Sequence, residues 1–373
     1  MNKIYYISGA ALSTLGDGCQ QIALMWYIYH FTGSAFSIGL MIAIYYLPSI
    51  ILTPFLSVLV DQRDSKRLVI GTDIMRFILL SLITVILLIG YESVSLLYVL
   101  QFLSAITYTI YKPASMSFIK EAFNQQDISF VVSKSSSFNE LANICGLALA
   151  GFLIATFPPV VCFIINDCSF LFPVFLFLGI KRVNRKKVTQ GSVHYLSKMG
   201  EGLRFIKNEK GMSFLLFLSI LNSIAIQMSA TLFLPLAQQL GGGSGLYSAF
   251  EIAFSVGGIL SGLFATLLLA RLKNHLIIVT IFGMMMVSII MGLNHYKMAM
   301  LGLIFLFGYF ALLHLVTTQT IIQLKTPIDM IGRVTGLRTI IASLVKITSA
   351  LTTGYLITNV PIHSLLLLFG IFL

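Results

Sequence analysis

Long runs of apolar residues recur along this chain, at 4–30, 34–60, 68–90, 94–119, 135–158, 159–180, 212–240, 243–271, 274–293, 296–324 and 336–359. A helix needs about 20 such residues to cross the roughly 30 Å hydrocarbon core of a bilayer. Inside lipid every backbone polar group must be satisfied within the protein, which leaves helices or closed barrels, and runs this long read as helices. The spacing therefore predicts eleven full spans. A last run from Pro361 to Leu373 would rise only about 20 Å as a helix, so the twelfth span is expected to be truncated. The expected fold class is an all-α membrane protein.

The connections alternate in charge. Asp61–Arg67, Lys120–Lys134, Lys181–Gly211, Arg271–Lys273 and Lys325–Arg338 are rich in cations, whereas Phe31–Gly33, Phe157–Pro159 and Gly241–Gly245 carry none. Of the 24 lysines and arginines only Lys297 falls on the neutral side, where Glu92 is the other exception. Cations are retained in cytoplasmic loops, so the N-terminus is expected in the cytoplasm and the neutral turns outside. Only 10% of residues are charged and mean hydropathy is +0.94. A soluble domain averages about 25% charged residues, and a soluble reading fails on that difference. The net charge of +11 does not point to nucleic acid, because the cations cluster in loops facing an anionic inner leaflet. The four cysteines lie in apolar stretches and match neither a zinc pattern nor a disulfide framework. The first run lacks a small-residue cleavage site and reads as an anchor. No spaced metal ligands, nucleotide-binding glycine loop or Walker lysine occurs, which argues against an enzyme and against coupling to ATP hydrolysis.

The segment 181–211 separates six predicted spans from six, giving an N-terminal bundle over 1–180, a cytoplasmic linker and a C-terminal bundle over 212–373. From Ser192 to Lys210 the apolar residues Tyr195, Met199, Leu203 and Ile206 have helical spacing, with polar residues opposite. This predicts an amphipathic helix on the membrane surface. The halves are weakly repetitive: Ala150-Gly151-Phe152-Leu153-Ile154 resembles Thr353-Gly354-Tyr355-Leu356-Ile357, six spans later. Internal duplication is a transporter architecture.

Between spans two and three stand Ser57, Asp61, Gln62, Arg63, Lys66 and Arg67. This stretch resembles the signature loop of the major facilitator superfamily, in which a glycine precedes an aspartate and a basic cluster. Gly16-Asp17, Trp26 to Tyr29 followed by Thr32-Gly33-Ser34, Pro48, and Asp73 with Arg76 extend the resemblance toward its macrolide-efflux and siderophore-export branch. Ser57, Gln62 and Ser65 depart from the pattern, and Arg63 partly restores its charge. The resemblance implies two six-helix bundles related by a pseudo-twofold axis and a secondary transporter of the bacterial cytoplasmic membrane. Such a protein exports a small amphipathic compound by alternating access, driven by a proton gradient without a cofactor. It also implies a conformational latch at Asp61, Arg63, Lys66 and Arg67, braced by Asp73 and Arg76, which can pair at i and i+3. An importer of the same fold, or a non-transporting binding or regulatory protein, is the alternative. Lipid and a small-molecule substrate are the expected partners, nucleic acid is not, and nothing demands an oligomer.

Ionisable groups at membrane depth are costly, and so mark candidate sites. Asp17 lies about 20 Å along the first span, with Gln20 and Gln21 at i+3 and i+4. It is the first candidate for proton coupling or substrate contact. In the family's fold, spans one, four, seven and ten line a central cavity. Gln101 and Tyr108 (with Tyr111), Asn222 and Gln227, and His314 and Gln319 are then its candidate neighbours. Glu140 with Asn143 on span five, and Glu251 on span eight, are second candidates. Asp167 is expected to pair with Asn166 or a neighbour, and Lys346 to neutralise an acid or bind an anion. Small-residue stripes, Ala142, Gly146 and Ala150 on span five and Gly258 and Gly262 on span eight, allow close helix approach. They fit either a sliding interface or static packing.

Overall fold

Apolar helices with glycine or proline at their ends account for nearly all of the chain. A computed structural model describes residues 2–61, 63–91, 93–181, 195–272, 275–327 and 330–373. The expectations resting on Gln62, Glu92, Lys273 and the segment 182–194 lie outside the described residues, as do those on the side chains of Ser57, Asp61, Glu140, Tyr195 and Met199. Among the described residues there are thirteen helices and no strand. They are α1 Asn2–Thr32, α2 Ala35–Asp61, α3 Ser65–Leu88, α4 Val94–Ala122, α5 Gln125–Thr156, α6 Val160–Gly179, α7 Tyr195–Asn208, α8 Met212–Gln239, α9 Gly243–Leu272, α10 His275–Leu293, α11 Lys297–Lys325, α12 Ile331–Leu356 and α13 Ile362–Phe372. The chain is an all-α, multi-pass membrane protein.

Turn chemistry sets the breaks. Gly33, Gly90, Gly211, Gly241 and Gly243 all adopt positive φ, which costs glycine alone nothing. Asp64 caps α3, its carboxylate accepting from the Arg67 amide at 3.0 Å, and Ser93 does the same for α4. Two boundaries differ from the hydropathy reading: α5 starts at Gln125 rather than 135, and α12 at Ile331 rather than 336. Hydropathy marks where lipid begins, whereas the helix runs on beyond it. Asp127 in the first turn of α5 holds an ion pair with Lys3 at 2.7 Å, which ties that extension to the start of α1.

Nine described helices are long and apolar enough to span a bilayer by length and composition. Among the long helices outside that set are α1 and α5, which carry polar groups in mid-span. They are packed directly on each other: Gly18 lies against the backbone of Asn143 and Leu147, Gly146 lies against the Leu15 carbonyl, and Cys19 Sγ reaches the Gly146 carbonyl at 3.3 Å. Without side chains at these crossings the backbones approach closely, the usual substitute for a hydrophobic driving force in lipid. The structure thus assigns Gly146 to packing within its own bundle. Gly258 likewise sits against Leu312 of α11, while Gly262 faces open space.

The chain divides into two compact units. One holds residues up to Thr32 and from Ile44 through α6; the other holds Gly33–Ala43 and α7 onward. The short piece of α2 joins the second unit because Gly39 rests on the Ala350 carbonyl and Gly354 on Ala35 and Phe36. Helix pairings recur in the two units. In the first, α1 packs on α5 and α3 on α4 and α6; in the second, α8 packs on α12 and α10 on α11 and α13. Helix α7 docks on α12 and α8. Ile206 enters a core with Met212, Leu215, Val334 and Leu337, Gly202 lies against Arg333 and Leu337, and Glu201 pairs with Arg333 at 2.7 Å. Of the described residues in its predicted apolar stripe, Ile206 is therefore spent on protein, whereas Leu203 stays exposed.

Replacing Gly146 by valine forces α1 and α5 apart and is expected to cost about 1–3 kcal/mol, as overpacking generally does. Gly262→Val, in open space, should leave the melting temperature nearly unchanged. Thermal unfolding of the two variants in detergent, compared with the parent protein, checks this.

Candidate functional site

Helices α1, α3, α4 and α6 of the first unit each place polar side chains at one level. Asp17 on α1 accepts a hydrogen bond from Arg76 Nη2 on α3 at 2.5 Å. The guanidinium is flanked by aromatic faces, 4.1 Å from the Phe170 centroid on α6 and 5.3 Å from that of Tyr108 on α4. Such cation–π contacts are worth about 2 kcal/mol or more when desolvated. Arg76 is almost entirely enclosed, while a quarter of the Asp17 side chain remains accessible. Asp73, one turn from Arg76 on the same helix, is fully buried, and neither carboxylate oxygen has a hydrogen-bond partner among the described residues.

This corrects the expected pairing of Asp73 with Arg76. An i,i+3 spacing permits that pair, but the planar guanidinium is held between Phe170 and Tyr108 and turned across to α1. The sequence missed this because Asp17 and Arg76 are 59 positions apart, and neither residue's local context names the other.

An amide chain continues from the pair. Gln20 Nε2 donates to Gln101 Oε1 at 3.4 Å, Asn166 Nδ2 donates to Gln20 Oε1 at 2.6 Å, and Ser169 Oγ donates to Asn166 Oδ1 at 2.9 Å. Gly16 makes room for it, since a Cβ there would collide with Ser169 and Asn166. Gln21 is exposed instead: a rotation of about 100° per residue carries it past the edge of the face that buries Gln20. Asp167 turns from Asn166 to α3, accepting from Thr84 Oγ1 at 2.9 Å. A half-buried aromatic stripe completes the level. Tyr45 packs edge-on against Tyr46 and tilted against Tyr108, which stacks on Tyr111. Sequence reasoning misses Tyr45 and Tyr46, and only their contacts reveal the stripe.

The second unit disperses its candidates. His314 is fully buried and braces three helices: its Nε2 donates to the Leu218 carbonyl on α8 at 3.2 Å, and its Nδ1 lies 2.9 Å from Thr280 Oγ1 on α10. Asn222 is buried with neither amide atom partnered among the described residues, Gln227 and Glu251 are buried, and Gln319 is exposed. Arg338 Nε donates to Ser219 Oγ at 2.8 Å. Asn143 lends its backbone to the Gly18 crossing.

A family model of the Major Facilitator Superfamily matches residues 6–350. The chain belongs to the Major Facilitator Superfamily. Its relatives include macrolide efflux protein A of Streptococcus pyogenes, 24% identical over 270 residues, an alignment covering 70% of this chain and 66% of that protein, just under two thirds of its length. The MFS-type transporter YfiS of Bacillus subtilis is 24% identical over 343 residues, covering 88% of this chain and 80% of its own. Among solved structures, the nucleoside transporter NupG superposes with a TM-score of 0.74 at 12% identity, over 100% of this chain and 96% of the other. A bacterial homologue of the human lysosomal transporter Spinster, inward-facing and unoccupied, gives 0.66 at 14% identity, covering 95% and 81%. At such identities the structural likeness shows the fold alone. The chain is thus a multi-pass membrane protein of a superfamily of transporters.

In this superfamily member the loop after α2 is braced within its own unit. Lys66 Nζ donates to the Leu178 and Ile180 carbonyls at 2.9 Å each, capping the end of α6, where a cation meets both unpaired carbonyls and the negative end of the helix dipole. Arg63 and Arg67 are exposed.

Removing one partner of a buried ion pair strands the other, at a cost of about 3–5 kcal/mol. Arg76→Met should lose about that much stability, and Arg76→Met with Asp17→Asn less than the single change. A double-mutant cycle on thermal unfolding in detergent measures the difference.

Proposed function

We propose that this transporter exports a small amphipathic compound with an apolar body and a basic amine, of the macrolide kind, in exchange for protons. The observation that carries this reading is the aromatic stripe of Tyr45, Tyr46, Tyr108 and Tyr111 beside a carboxylate that is partly accessible inside spanning helices. Half-buried tyrosines offer apolar faces with a polar tip, and Asp17 offers a negative charge to an amine. The likeness to macrolide efflux protein A agrees with that chemistry. A carboxylate-rich siderophore fits less well, since Arg76, the cation at this level, is already engaged by Asp17.

On this reading the site opens alternately to either side of the membrane, and the chain acts as a monomer with its N-terminus in the cytoplasm. Residues 1–180 and 212–373 act as the two six-span halves, joined by 181–211. Asp61, with Arg63, Lys66 and Arg67, forms the latch. Gln20, Gln101 and Tyr108 order the substrate beside Asp17. Asn222, Gln227, Glu140, Asn143, Glu251 and Gln319 are further polar contacts, and His314 holds helices in place.

Cells producing the chain should accumulate less radiolabelled erythromycin than control cells, and a protonophore should abolish the difference. Asp17→Asn should raise accumulation again, weakening export by roughly tenfold for a lost contact of about 1.4 kcal/mol. Equal accumulation with and without the chain, for erythromycin and a panel of other amphipathic amines, would overturn the reading.

A further inference from the structure

Around Arg76 in the first unit, one carboxyl group is left over. Asp17 and Asp73 share a single guanidinium, Arg76, and the geometry gives it to Asp17. Asp73 is fully enclosed and takes no hydrogen bond from any described residue. An isolated carboxylate in such a place is far costlier than a neutral carboxylic acid. The groups facing it do not supply a second cation. From α1 come Tyr6, whose hydroxyl is bound to Ser115 at 2.5 Å, and Asp17 itself. From α4 come Tyr111 and, beyond it, Tyr108; Lys112 and Glu121 on that helix are themselves engaged. From α6 the nearest acid, Asp167, is turned to Thr84.

We propose that Asp73 is the proton-carrying residue of this transporter and that Arg76 is its positioning residue, passing its ion pair between Asp17 and Asp73. The inference rests on the export reading above and deepens it. In the arrangement seen, Arg76 and Asp17 neutralise each other and Asp73 holds its proton on a carboxyl oxygen. Arg76 keeps one donor in reserve, since its Nε has no partner among the described residues, and it stands one turn from Asp73 on the same helix, with Cβ atoms about 5–6 Å apart. When a substrate ammonium group takes Asp17, the guanidinium turns to Asp73. The O–H bond of Asp73 breaks, its electron pair stays on the carboxylate and the proton leaves to water on the open side. Substrate charge and proton thus neutralise the same excess acid in turn and cannot both be accommodated. One proton is exchanged for each singly charged amine, with no net charge moved. Asp17, more accessible and paired, is the substrate contact; Asp73, sealed and unpaired, is the proton site.

The test is the C=O stretching absorption of protonated carboxylic acids in the purified full-length protein, recorded by infrared difference spectroscopy. Asp73→Asn should remove a band that the parent protein shows, and Asp17→Asn, by freeing Arg76 to pair with Asp73, should bleach the same band. Adding erythromycin should bleach that band in the parent protein and release about one proton per bound molecule to a pH dye; Asp73→Asn should bind erythromycin and release none. In vesicles Asp73→Asn should keep downhill exchange of labelled for unlabelled erythromycin while losing accumulation driven by a pH gradient. If Asp73→Asn does not fold, Asp73→Glu serves, because it should move the band rather than remove it. An unchanged band in Asp73→Asn, an unmoved band in Asp73→Glu, or gradient-driven accumulation at the parental rate in Asp73→Asn would overturn the proposal. Failure of the parent protein to bind or export erythromycin would count against the export reading alone, since the band assignment is read without substrate.

Discussion

One guanidinium set against two carboxyl groups is the constraint around which the first unit is arranged. Burying an ion pair brings little net stability, and a well-packed apolar replacement is often as good or better. Its presence in mid-span is therefore hard to justify by folding alone. The surroundings are consistent with retaining it: Phe170 and Tyr108 lie over the guanidinium on two sides, so that the charge stays where an ammonium would be freely rotating. Gln20, Gln101, Asn166 and Ser169 then run from the acid-bearing helix to its neighbours α4 and α6, each amide meeting another polar group. A network of this kind fixes the register of α1 against α4 and α6 more sharply than apolar contacts between leucines would.

Polar helices can stay in lipid only if their polar faces are covered. The glycine crossings provide that cover. Gly18 and Gly146 bring α1 and α5 into backbone contact, and in the other unit Gly257 and Gly308 do the same for α9 and α11. Small residues used within a bundle make each unit hard to deform. The stripes on α5 and α9 could also have served a sliding contact; Gly146 and Gly258 are filled by neighbours from their own unit, and that consumes the freedom sliding would need.

Much of the fold was legible because membrane helices advertise themselves through length and apolarity. The boundaries that moved, at Gln125 and Ile331, are those where a helix continues into polar sequence held by partners distant in the chain, as Lys3 holds Asp127. The site was legible in its membership more than in its connections. Intramembrane acids and amides stand out against an apolar background, so Asp17, Gln20 and Gln101 read as one candidate set, whereas Asp73 and Arg76 read as a brace for the loop before them. Which acid Arg76 chooses could not be read from the sequence, because i,i+3 spacing offers Asp73 locally while the choice is made by two aromatic rings on other helices. The tyrosine stripe was equally hidden, since half-buried aromatics look like any other apolar residue until their neighbours are known.

Helix α6 connects these pieces mechanically. At one end its last carbonyls are capped by Lys66 from the first turn of α3. From there to Asn166 is about 20 Å of helix, and at that level Asn166 bonds Gln20 and Phe170 covers Arg76. A helix is stiff along its axis, and each of these contacts is short and directional. Lys66 and the level of Asn166 are therefore attached to one helix, with Pro173 inside it between them. Lys66 is joined to the level of Asn166 and Phe170 through the helix it caps, as well as along α3, which carries it together with Asp73 and Arg76.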